Sequence, residues 1–271
     1  MFFTRRETFE NSVVWITGAS AGIGRAVALE LADRGARLAL SARREEKLEA
    51  VADECETEVA VEPLDVTDRQ RNVEVADAVV DRFGGLDAAF FNAGVFGTLG
   101  ADEAFDAETV EWNMEVNYDG LVHGIDAALP HLRESDEGYV VGMSSAGAYS
   151  PMPRGCGYGA SKVAVKYLMH SLDHEWEAKG VDVDVSVVCP GVVETPMTED
   201  EDFPYRPPPS FFEVSPEWAA SYIVDRMEKR THEIRFPALF ALGLKAFGMI
   251  PNPLHRWLLK LGDRMNVKEG A

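Results

Sequence analysis

Short apolar runs alternate with longer segments in which apolar residues recur at helical spacing over most of the chain. The runs predict buried strands, because almost every position in them is apolar and many residues are β-branched. The longer segments predict helices that bury one face. Repeated strand–helix alternation is typical of a parallel sheet covered by helices. The sequence therefore predicts an α/β, Rossmann-like, doubly wound parallel sheet of about seven strands with helices on both faces.

Most of these elements can be placed from the pattern. Thr67 and Asp68 both suit the N-cap of the third helix, because a side-chain oxygen there accepts from the N–H groups of the first turn. Strands are expected at 12–17, 37–41, 58–62, 86–91, 139–145 and 181–189. Helices are expected at 25–34, 44–54, 68–83, 104–132 and 158–178.

The first strand is followed at once by a glycine-rich turn and then by a helix. Gly18 permits a tight turn, Gly22 lets backbone approach a pyrophosphate, and Gly24 lets the helix pack close to its strand. The N–H groups that begin the helix then face the phosphates. Three glycines could form a plain turn, but the flanking strand and helix favour a dinucleotide-binding site.

A second candidate site combines a hydroxyl, a phenol and an ammonium group. Ser145 ends a predicted strand, and Tyr158 and Lys162 lie at i and i+4 on one face of the next helix. A free tyrosine keeps its proton up to about pH 10, and a nearby cation lowers that pKa. Tyr158 could then exchange a proton with an oxygen that Ser145 holds. Alone, such a pair is usually an ordinary surface pair; the nucleotide-binding turn favours the chemical interpretation.

The composition indicates one large domain. The chain has 271 residues, of which 46% are apolar, and no linker, repeat or low-complexity block divides it. Its 46 acidic and 26 basic side chains give a formal charge of −20, which disfavours nucleic acid and anionic membranes as partners. We interpret the excess as a solvated acidic surface. Adaptation to a high-salt cytoplasm and an acidic mesophilic protein both fit it.

Cysteines and histidines predict neither a disulfide framework nor a metal site. Cys55, Cys156 and Cys189 are odd in number and lack Cys-x-x-Cys spacing, which suits a reducing compartment. His170 and His174 lie one helical turn apart, but without a third ligand in a motif we expect an interface or a solvated face. The N-terminus lacks a secretory pattern. We therefore expect a cytoplasmic protein.

Several motifs together resemble those of the short-chain dehydrogenase/reductase family. They fall in the family's order and spacing over about residues 10–235. Phe91 stands where the family usually has a further asparagine, and we expect only a local packing difference there. The matching residues are Thr17-Gly18-x-x-x-Gly22-x-Gly24, Asn92-Ala93-Gly94, Asn117, Ser145, Tyr158-x-x-x-Lys162 and Pro190-Gly191.

The resemblance implies an oxidoreductase that moves hydride between a nicotinamide and a carbonyl or secondary alcohol carbon. It implies that Tyr158 is the catalytic acid/base and that Ser145 positions the substrate oxygen. It also implies that Lys162 lowers the tyrosine pKa and binds the nicotinamide ribose, while Asn117 holds a water that links Lys162 to solvent. The residue alone would make Asn117 a tolerated or kink-forming polar residue in a helix.

The cofactor contacts combine the glycine turn, the end of the second strand and the family motifs. The resemblance implies that Thr195 is the partner of the nicotinamide carboxamide. The expected contacts are Gly18, Ser20, Ala21, Gly22, Ile23, Gly24, Arg43, Arg44, Asp65, Val66, Asn92, Ala93, Gly94, Tyr158, Lys162, Pro190, Gly191, Val193 and Thr195.

The end of the second strand favours NADP(H) over NAD(H). Enzymes that use NAD(H) place an acid there to bind the ribose 2′-hydroxyl. Here Ala42 takes that position and Arg43 follows. A guanidinium beside a small residue would accept a 2′-phosphate, which an acid would repel. The alternative is that Arg43 and Arg44 only begin a solvated helix.

Two other classes of protein stay open. A sensor or scaffold could bind NADP(H) without turnover, although the intact catalytic set counts against it. A sugar-nucleotide epimerase or dehydratase shares the fold, but such enzymes usually carry a larger C-terminal substrate domain. The sequence does not identify the substrate.

The end of the chain is the part least like the family. Residues 196–216 are acidic and then rich in proline, which suits a substrate lid or a plain surface loop. Residues 236–271 contain two apolar pieces, both too short to span a bilayer. We expect short helices in this C-terminal extension, near the substrate mouth or a partner subunit. Peripheral membrane contact is the minor alternative.

The helices that carry Asn117 and Tyr158 hold more apolar residues than one core-facing stripe needs. A second stripe implies a second partner, and relatives in this family pair these helices across a two-fold axis. We expect a homodimer or homotetramer with Trp176 near the contact, unless the tail covers this surface. The residues are Leu121, Val122, Ile125 and Leu129 on the first helix and Val165, Leu168, Met169, Leu172 and Trp176 on the second.

Overall fold

Parallel strands form the centre of the molecule. The structure is a computed structural model that describes residues 8–99, 104–199, 213–251, 253–254 and 256–258. In these residues, seven strands form one parallel sheet and two more pair with each other. The strands are β1 (Val13–Thr17), β2 (Arg37–Ser41), β3 (Val59–Val61), β4 (Ala88–Phe91), β5 (Tyr139–Met143), β6 (Asp184–Pro190), β7 (Val192–Val193), β8 (Glu213–Val214) and β9 (Glu233–Phe236).

Helices connect these strands. A 3₁₀ turn at Ala146–Tyr149 follows β5, and a π-helical segment at Glu115–Asp119 separates two of the helices. The helices are α1 (Gly22–Asp33), α2 (Glu45–Ala52), α3 (Arg69–Phe83), α4 (Ala107–Met114), α5 (Gly120–Leu132), α6 (Cys156–Lys179), α7 (Pro196–Glu199), α8 (Pro216–Glu228) and α9 (Ala238–Gly248).

The strand order reverses beside β1. The sheet runs β3-β2-β1-β4-β5-β6-β9, so β1 has β2 on one side and β4 on the other. In register, Thr17 of β1 lies between Ser41 of β2 and Phe91 of β4. Connections leave towards opposite faces on the two sides, which opens a crevice beyond the carboxyl ends of these strands. The turns after β1, β2 and β4 therefore meet at one edge.

Both faces of the sheet are buried. Along β1, Val14 and Ile16 belong to one apolar cluster, whereas Val13 and Trp15 belong to the other. The first cluster includes residues of α1 and α8, and the second includes residues of α3, α5 and α6. A strand buried on both faces needs the continuous apolar run seen in the sequence. The predicted doubly wound sheet with helices on both faces is confirmed.

The helix expected at 104–132 is interrupted, so that prediction is wrong. α4 ends at Met114, and α5 begins only after the π-helical segment that holds Asn117. Single π turns recur at functional sites and disturb the regular hydrogen-bond ladder. The sequence indicated a poor helix former at this point, and the interruption agrees with the kink-forming interpretation. Residues 100–103 lie outside the described part.

Other boundaries differ by a few residues. The second strand has the predicted bounds, but β6 begins at Asp184 rather than at residue 181. Asp68, and not Thr67, is the N-cap of α3, because its carboxylate accepts a hydrogen bond of 2.9 Å from the backbone N–H of Arg71.

The seventh strand, β9, was not located from the sequence. Its charged residues alternate with buried Ile234 and Phe236, so it lacks the continuous apolar run of the other strands. Glu233 accepts a hydrogen bond of 2.8 Å from the Tyr149 hydroxyl and lies 3.0 Å from Nε2 of His170. Burial opposes its charge, yet these partners and Lys166 lower the pKa of Glu233 to about 2. The contacts tie the edge strand to the turn after β5 and to α6.

Phe91 packs in the core, and the expected local packing difference from the family pattern stays a prediction. Its buried ring meets Trp15 edge-on, with 5.6 Å between the ring centroids. On its other side lies Gly124 of α5, where a Cβ would collide with the ring. The missing side chain at Gly124 makes room for the larger residue at position 91.

The described part of the C-terminal extension packs against the sheet edge. α9 follows β9 closely, and Gly248 lies against the backbone carbonyl of Tyr149. None of the described helices is long and apolar enough to cross a membrane. Residues 200–212 of the expected lid, and 259–271 of the extension, fall outside the described part.

Candidate active site

A cavity of about 930 Å³ lies at the carboxyl edge of the sheet. Its walls come from the turns after β1 to β6, from the start of α6 and from one face of α9. The predicted cofactor and catalytic residues converge on it. Gly24 and Asn117 do not line it, but the other residues of both predicted sets do.

The glycine turn forms the floor of one end of the cavity. Gly18 has a φ of +67° and Gly22 a φ of +54°, which side-chain-bearing residues rarely adopt. A Cβ on Gly18 would lie 2.8 Å from Cα of Ala93. A Cβ on Gly24 would collide with the carbonyl of Gly18. Gly24 thus acts in the way predicted, by allowing close packing of α1, without facing the cavity.

Asn92 fixes the turn to the end of β4. Its amide Nδ2 donates to the backbone carbonyls of Thr17 and Gly18, both at 3.2 Å. In return the Thr17 hydroxyl accepts from the backbone N–H groups of Asn92 and Ala93, at 3.1 and 3.2 Å. These hydrogen bonds hold the turns after β1 and β4 side by side.

Tyr158 and Ser145 line the cavity within hydrogen-bond reach of each other. Ser145 follows β5, and Tyr158 lies in the first turn of α6, where only 9% of its surface is exposed. Burial raises the pKa of Tyr158, and a hydrogen bond with the Ser145 hydroxyl opposes that rise. The phenol therefore holds its proton at neutral pH.

Lys162 lies one turn further along α6 and is also buried. Its Nζ donates to the carbonyl of Met143 at 3.0 Å and lies 5.7 Å from the centroid of the Tyr158 ring. Burial lowers the pKa of Lys162 to about 8. Burial is the largest effect on the pKa of Tyr158, and the expected lowering of that pKa by Lys162 stays a prediction.

Asn117 does not line the cavity but forms hydrogen bonds with residues next to it. Its Oδ1 accepts from the backbone N–H of Val95 at 2.7 Å, and its Nδ2 donates to the Val95 carbonyl at 3.0 Å. The same Nδ2 lies 2.9 Å from the hydroxyl of Ser161, which donates to the Tyr158 carbonyl. Asn117 thus connects the segment after β4 to the first turn of α6. The water relay implied by the family resemblance stays a prediction.

Gly94 lies close to the side chains of both Asn117 and Lys162. A Cβ at Gly94 would lie 2.9 Å from Oδ1 of Asn117 and 3.2 Å from Nζ of Lys162. The Ser144 hydroxyl donates to the Lys162 carbonyl at 2.7 Å from the other side. Glycine at position 94 therefore leaves space for the lysine beside the cavity.

Arg43 and Arg44 mark the end of the cavity farthest from α9. Both residues are exposed, and Nη2 of Arg44 lies 3.5 Å from the Ser20 hydroxyl. Asp65, after β3, lines the same end. This end of the cavity fits the phosphate groups of a dinucleotide. The glycine turn, the first N–H groups of α1 and the two guanidinium groups can all bind phosphate there.

The rest of the cavity is apolar, and the sequence placed only the C-terminal extension near it, as one of two alternatives. Phe96 packs on Tyr158 with 4.4 Å between ring centroids, and Met152 lines the cavity after the 3₁₀ turn. Phe240, Leu244 and Phe247 of α9 line it at spacings of i, i+4 and i+7. That spacing was a signal for a buried helix face, but nothing in the sequence showed which partner the face meets.

Some of the described histidines contact carboxylates. His170 contacts Glu233, and His232 contacts Asp173 at 3.0 Å. The described residues contain no cluster of His, Cys, Asp and Glu that could hold a metal ion.

Comparison with known proteins gives the family. The family model described as short chain dehydrogenase matches residues 12–204. An uncharacterized oxidoreductase of Listeria monocytogenes is 35% identical over 195 residues, which are 71% of this chain and 78% of that protein. The 11-beta-hydroxysteroid dehydrogenase A of Sesamum indicum is 36% identical over 197 residues, which are 71% of this chain and 56% of that protein.

Solved structures agree. The crystal structure of a short chain dehydrogenase/reductase from Burkholderia phymatum, in complex with NAD, has a TM-score of 0.79 and 25% identity, and the match covers 90% of this chain and 94% of that chain. The chain belongs to the short-chain dehydrogenase/reductase family and is an oxidoreductase that acts on CH–OH or C=O groups with NAD(P).

Proposed function

We propose that the protein is an NADP(H)-dependent oxidoreductase that interconverts a ketone or aldehyde and an alcohol, with Tyr158 as the acid and base. The observation that carries this proposal is the meeting of Ser145, Tyr158 and Lys162 in one cavity whose far end carries Arg43. When bound, the nicotinamide cofactor would supply or accept the hydride. A screen of ketones, aldehydes and alcohols with NADPH and NADP⁺, followed at the nicotinamide absorbance, tests the proposal.

The residues of the chain provide the proton chemistry. In the reductive direction, the Ser145 hydroxyl and the Tyr158 phenol hold the carbonyl oxygen between them, and the phenol gives it a proton. A raised pKa keeps that proton in place at neutral pH until the oxygen becomes basic. The ammonium of Lys162 then stabilises the phenolate that is left. In the oxidative direction the same groups act in reverse.

The named relatives support the reaction class. A hydroxysteroid dehydrogenase acts on an alcohol group of its substrate, and the protein of Sesamum indicum carries that name. A sensor without turnover would still bind NADPH, so the screen should be paired with a binding measurement. Binding without turnover of any carbonyl or alcohol would favour the sensor. The cytoplasmic location stays a prediction.

Arg43 should decide the choice of cofactor. Replacing Arg43 by alanine removes a guanidinium that we place beside the 2′-phosphate, so the Michaelis constant for NADPH should rise roughly ten- to a hundredfold. A charge-assisted contact contributes about 1.5–3 kcal/mol, which corresponds to that range. The constant for NADH should hardly change, because NADH lacks the phosphate. Steady-state kinetics with both cofactors measure the effect.

Lys47→Ala is the matched control, because it removes one exposed positive charge from the neighbouring helix. It should leave both Michaelis constants unchanged. Equal effects of Arg43→Ala on NADPH and NADH, or a wild-type preference for NADH, would show that Arg43 does not bind the phosphate.

We also propose that the protein is a homodimer, or a larger homo-oligomer, that pairs through α4 and α6. Trp176, which we expected near the contact, packs in the core of its own subunit and is 7% exposed. The exposed apolar side chains on these helices are Trp112, Val163 and Tyr167, and Tyr167 is 77% exposed. They form an exposed apolar surface, but none of them belongs to the second stripe expected from the sequence, whose residues are buried or half-buried.

Light scattering at micromolar concentration, in low and in molar salt, should give at least twice the mass of 29.8 kDa. Tyr167→Glu should shift the mass towards the monomer, because a two-fold contact brings the two new charges together. Tyr167→Phe should leave it unchanged. A wild-type monomer in both salts would contradict the proposed pairing.

A further inference from the structure

The cavity is polar at one end and apolar at the other, and the sheet keeps the two ends apart. In the sheet order, β2 and β9 are separated by β1, β4, β5 and β6. With strands about 4.8 Å apart, they lie about 24 Å from each other. Arg43 and Arg44 follow β2, whereas α9 follows β9. Tyr158 and Ser145 lie between them, after β5.

Charged side chains are confined to one part of this cavity. Arg43, Arg44 and Asp65 belong to the end where we place the nucleotide, and Lys162 is buried beside Tyr158. The remaining described residues that line the cavity are uncharged. Beyond Tyr158, therefore, no described side chain could pair with a charged substrate group, and burying such a group without a partner is strongly unfavourable.

The end beyond Tyr158 is lined by an apolar wall. We use this name for Phe96, Met152, Phe240, Leu244, Phe247 and Leu258, all of which line the cavity. Phe96 stands against the Tyr158 ring, and Phe240 reaches Gly191 after β6, where a Cβ would come within 2.9 Å of its ring. The wall thus extends from the phenol to α9.

The two faces of α9 differ in what they contact. Phe240, Leu244 and Phe247 are half-buried and face the cavity. Leu239 and Leu242 do not line the cavity, and both are exposed. A leucine to alanine change can therefore be made on either face of one helix, which separates loss of cavity contacts from loss of helix stability.

From these observations we infer that the substrate is an uncharged, largely apolar ketone or secondary alcohol, and that the inner face of α9 selects it. The inference rests on the proposed function, because Tyr158 must face the reacting oxygen. The oxygen lies between Ser145 and Tyr158, and the apolar body of the substrate extends along the apolar wall. Small hydroxy acids, phosphorylated sugars and other charged substrates are disfavoured, because the described residues offer their charges no partner there.

A series of methyl ketones of increasing length, from 2-butanone to 2-dodecanone, tests the inference. Each methylene that reaches the apolar wall should raise kcat/KM about fourfold, which corresponds to burial of one methylene. A keto acid with a carboxylate at the far end should be a poorer substrate than the ketone of equal length. A flat series, or a preference for the keto acid, would overturn the inference while leaving the proposed reaction intact.

Leu244→Ala should lower kcat/KM for the longest ketones about tenfold, and much more than for 2-butanone. Leu242→Ala, the same change on the outer face, should leave the whole series unaffected. Phe240→Ala provides a second inner-face variant should Leu244→Ala not fold. Equal effects of Leu242→Ala and Leu244→Ala would show that the inner face of α9 does not select the substrate.

Binding of unreactive compounds separates this inference from the proposed function. Alkyl methyl ethers of the same lengths carry an oxygen but cannot exchange hydride. Calorimetry with the NADP⁺-loaded protein should show tighter binding with each methylene, and Leu244→Ala should weaken binding of the longest ether. This result with no turnover of any ketone would leave the apolar site standing and reject the proposed reaction. Length-independent binding would overturn the inference.

Discussion

Replacing Tyr158 by phenylalanine should lower kcat at least a hundredfold while leaving cofactor binding intact. The change keeps the ring that packs on Phe96 and removes only the hydroxyl that contacts Ser145. One well-placed acid or base contributes about 10²–10⁴-fold to the rate. Because the buried phenol is protonated at neutral pH, reduction should lose its proton donor across the whole neutral range. Single-turnover kinetics at saturating NADPH measure the chemical step directly.

Tyr149→Phe is the matched control. It removes a hydroxyl that donates to Glu233 just outside the cavity, at 2.8 Å. Losing this hydrogen bond to a carboxylate should lower the free energy of unfolding by about 1.5–3 kcal/mol, while most of the activity remains. Near-normal turnover in Tyr158→Phe would refute the role of the phenol as proton donor. Comparable losses of kcat in both variants would point to a general disturbance of the turn after β5.

The sequence predicted the parts of the fold that depend on local pattern. Strands buried on both faces need continuous apolar runs, and β1 and β2 were recognisable for that reason. The glycine turn could be placed because strand, glycines and helix follow one another directly. Convergence of the turns after β1, β2 and β4 then follows from the strand order of a doubly wound sheet.

Features that depend on distant partners were not predictable in this way. β9 pairs with β6 although its sequence alternates like that of a surface strand, and Glu233 on it is held by residues far away in the chain. The inner face of α9 had helical spacing, but its contact with the cavity depends on where β9 ends. A pattern along the chain records burial, not which element provides it.

The pKa of Tyr158 likewise depends on the folded environment and could not be predicted from the sequence. Spacing alone placed a lysine one turn away and suggested a lowered pKa. The folded structure adds desolvation of the phenol and directs Nζ of Lys162 to the carbonyl of Met143. The sign of the shift depends on which effect is larger, and burial is not known until the helix is packed.

Replacing Lys162 by methionine should lower kcat for reduction by about 10²–10³-fold, the range found when a group that stabilises transition-state charge is removed. Methionine keeps the apolar length of the side chain and leaves the forming phenolate of Tyr158 without a cation. The wild-type enzyme should also lose reductive activity as the pH rises through about 8, because the buried ammonium of Lys162 gives up its proton there. In Lys162→Met this alkaline limb should disappear.

Lys166→Met is the control for the helix and for the charge. Lys166 lies one turn further along α6, 3.6 Å from Glu233, and does not line the cavity. Its loss should change kcat less than about fivefold, since a partly exposed ion pair contributes about 0–1 kcal/mol, and the alkaline limb near pH 8 should remain. pH profiles of kcat for the three proteins, with NADPH saturating at each pH, separate the two lysines. Survival of the limb in folded Lys162→Met, or its loss in Lys166→Met, would assign the titration to a group other than Lys162.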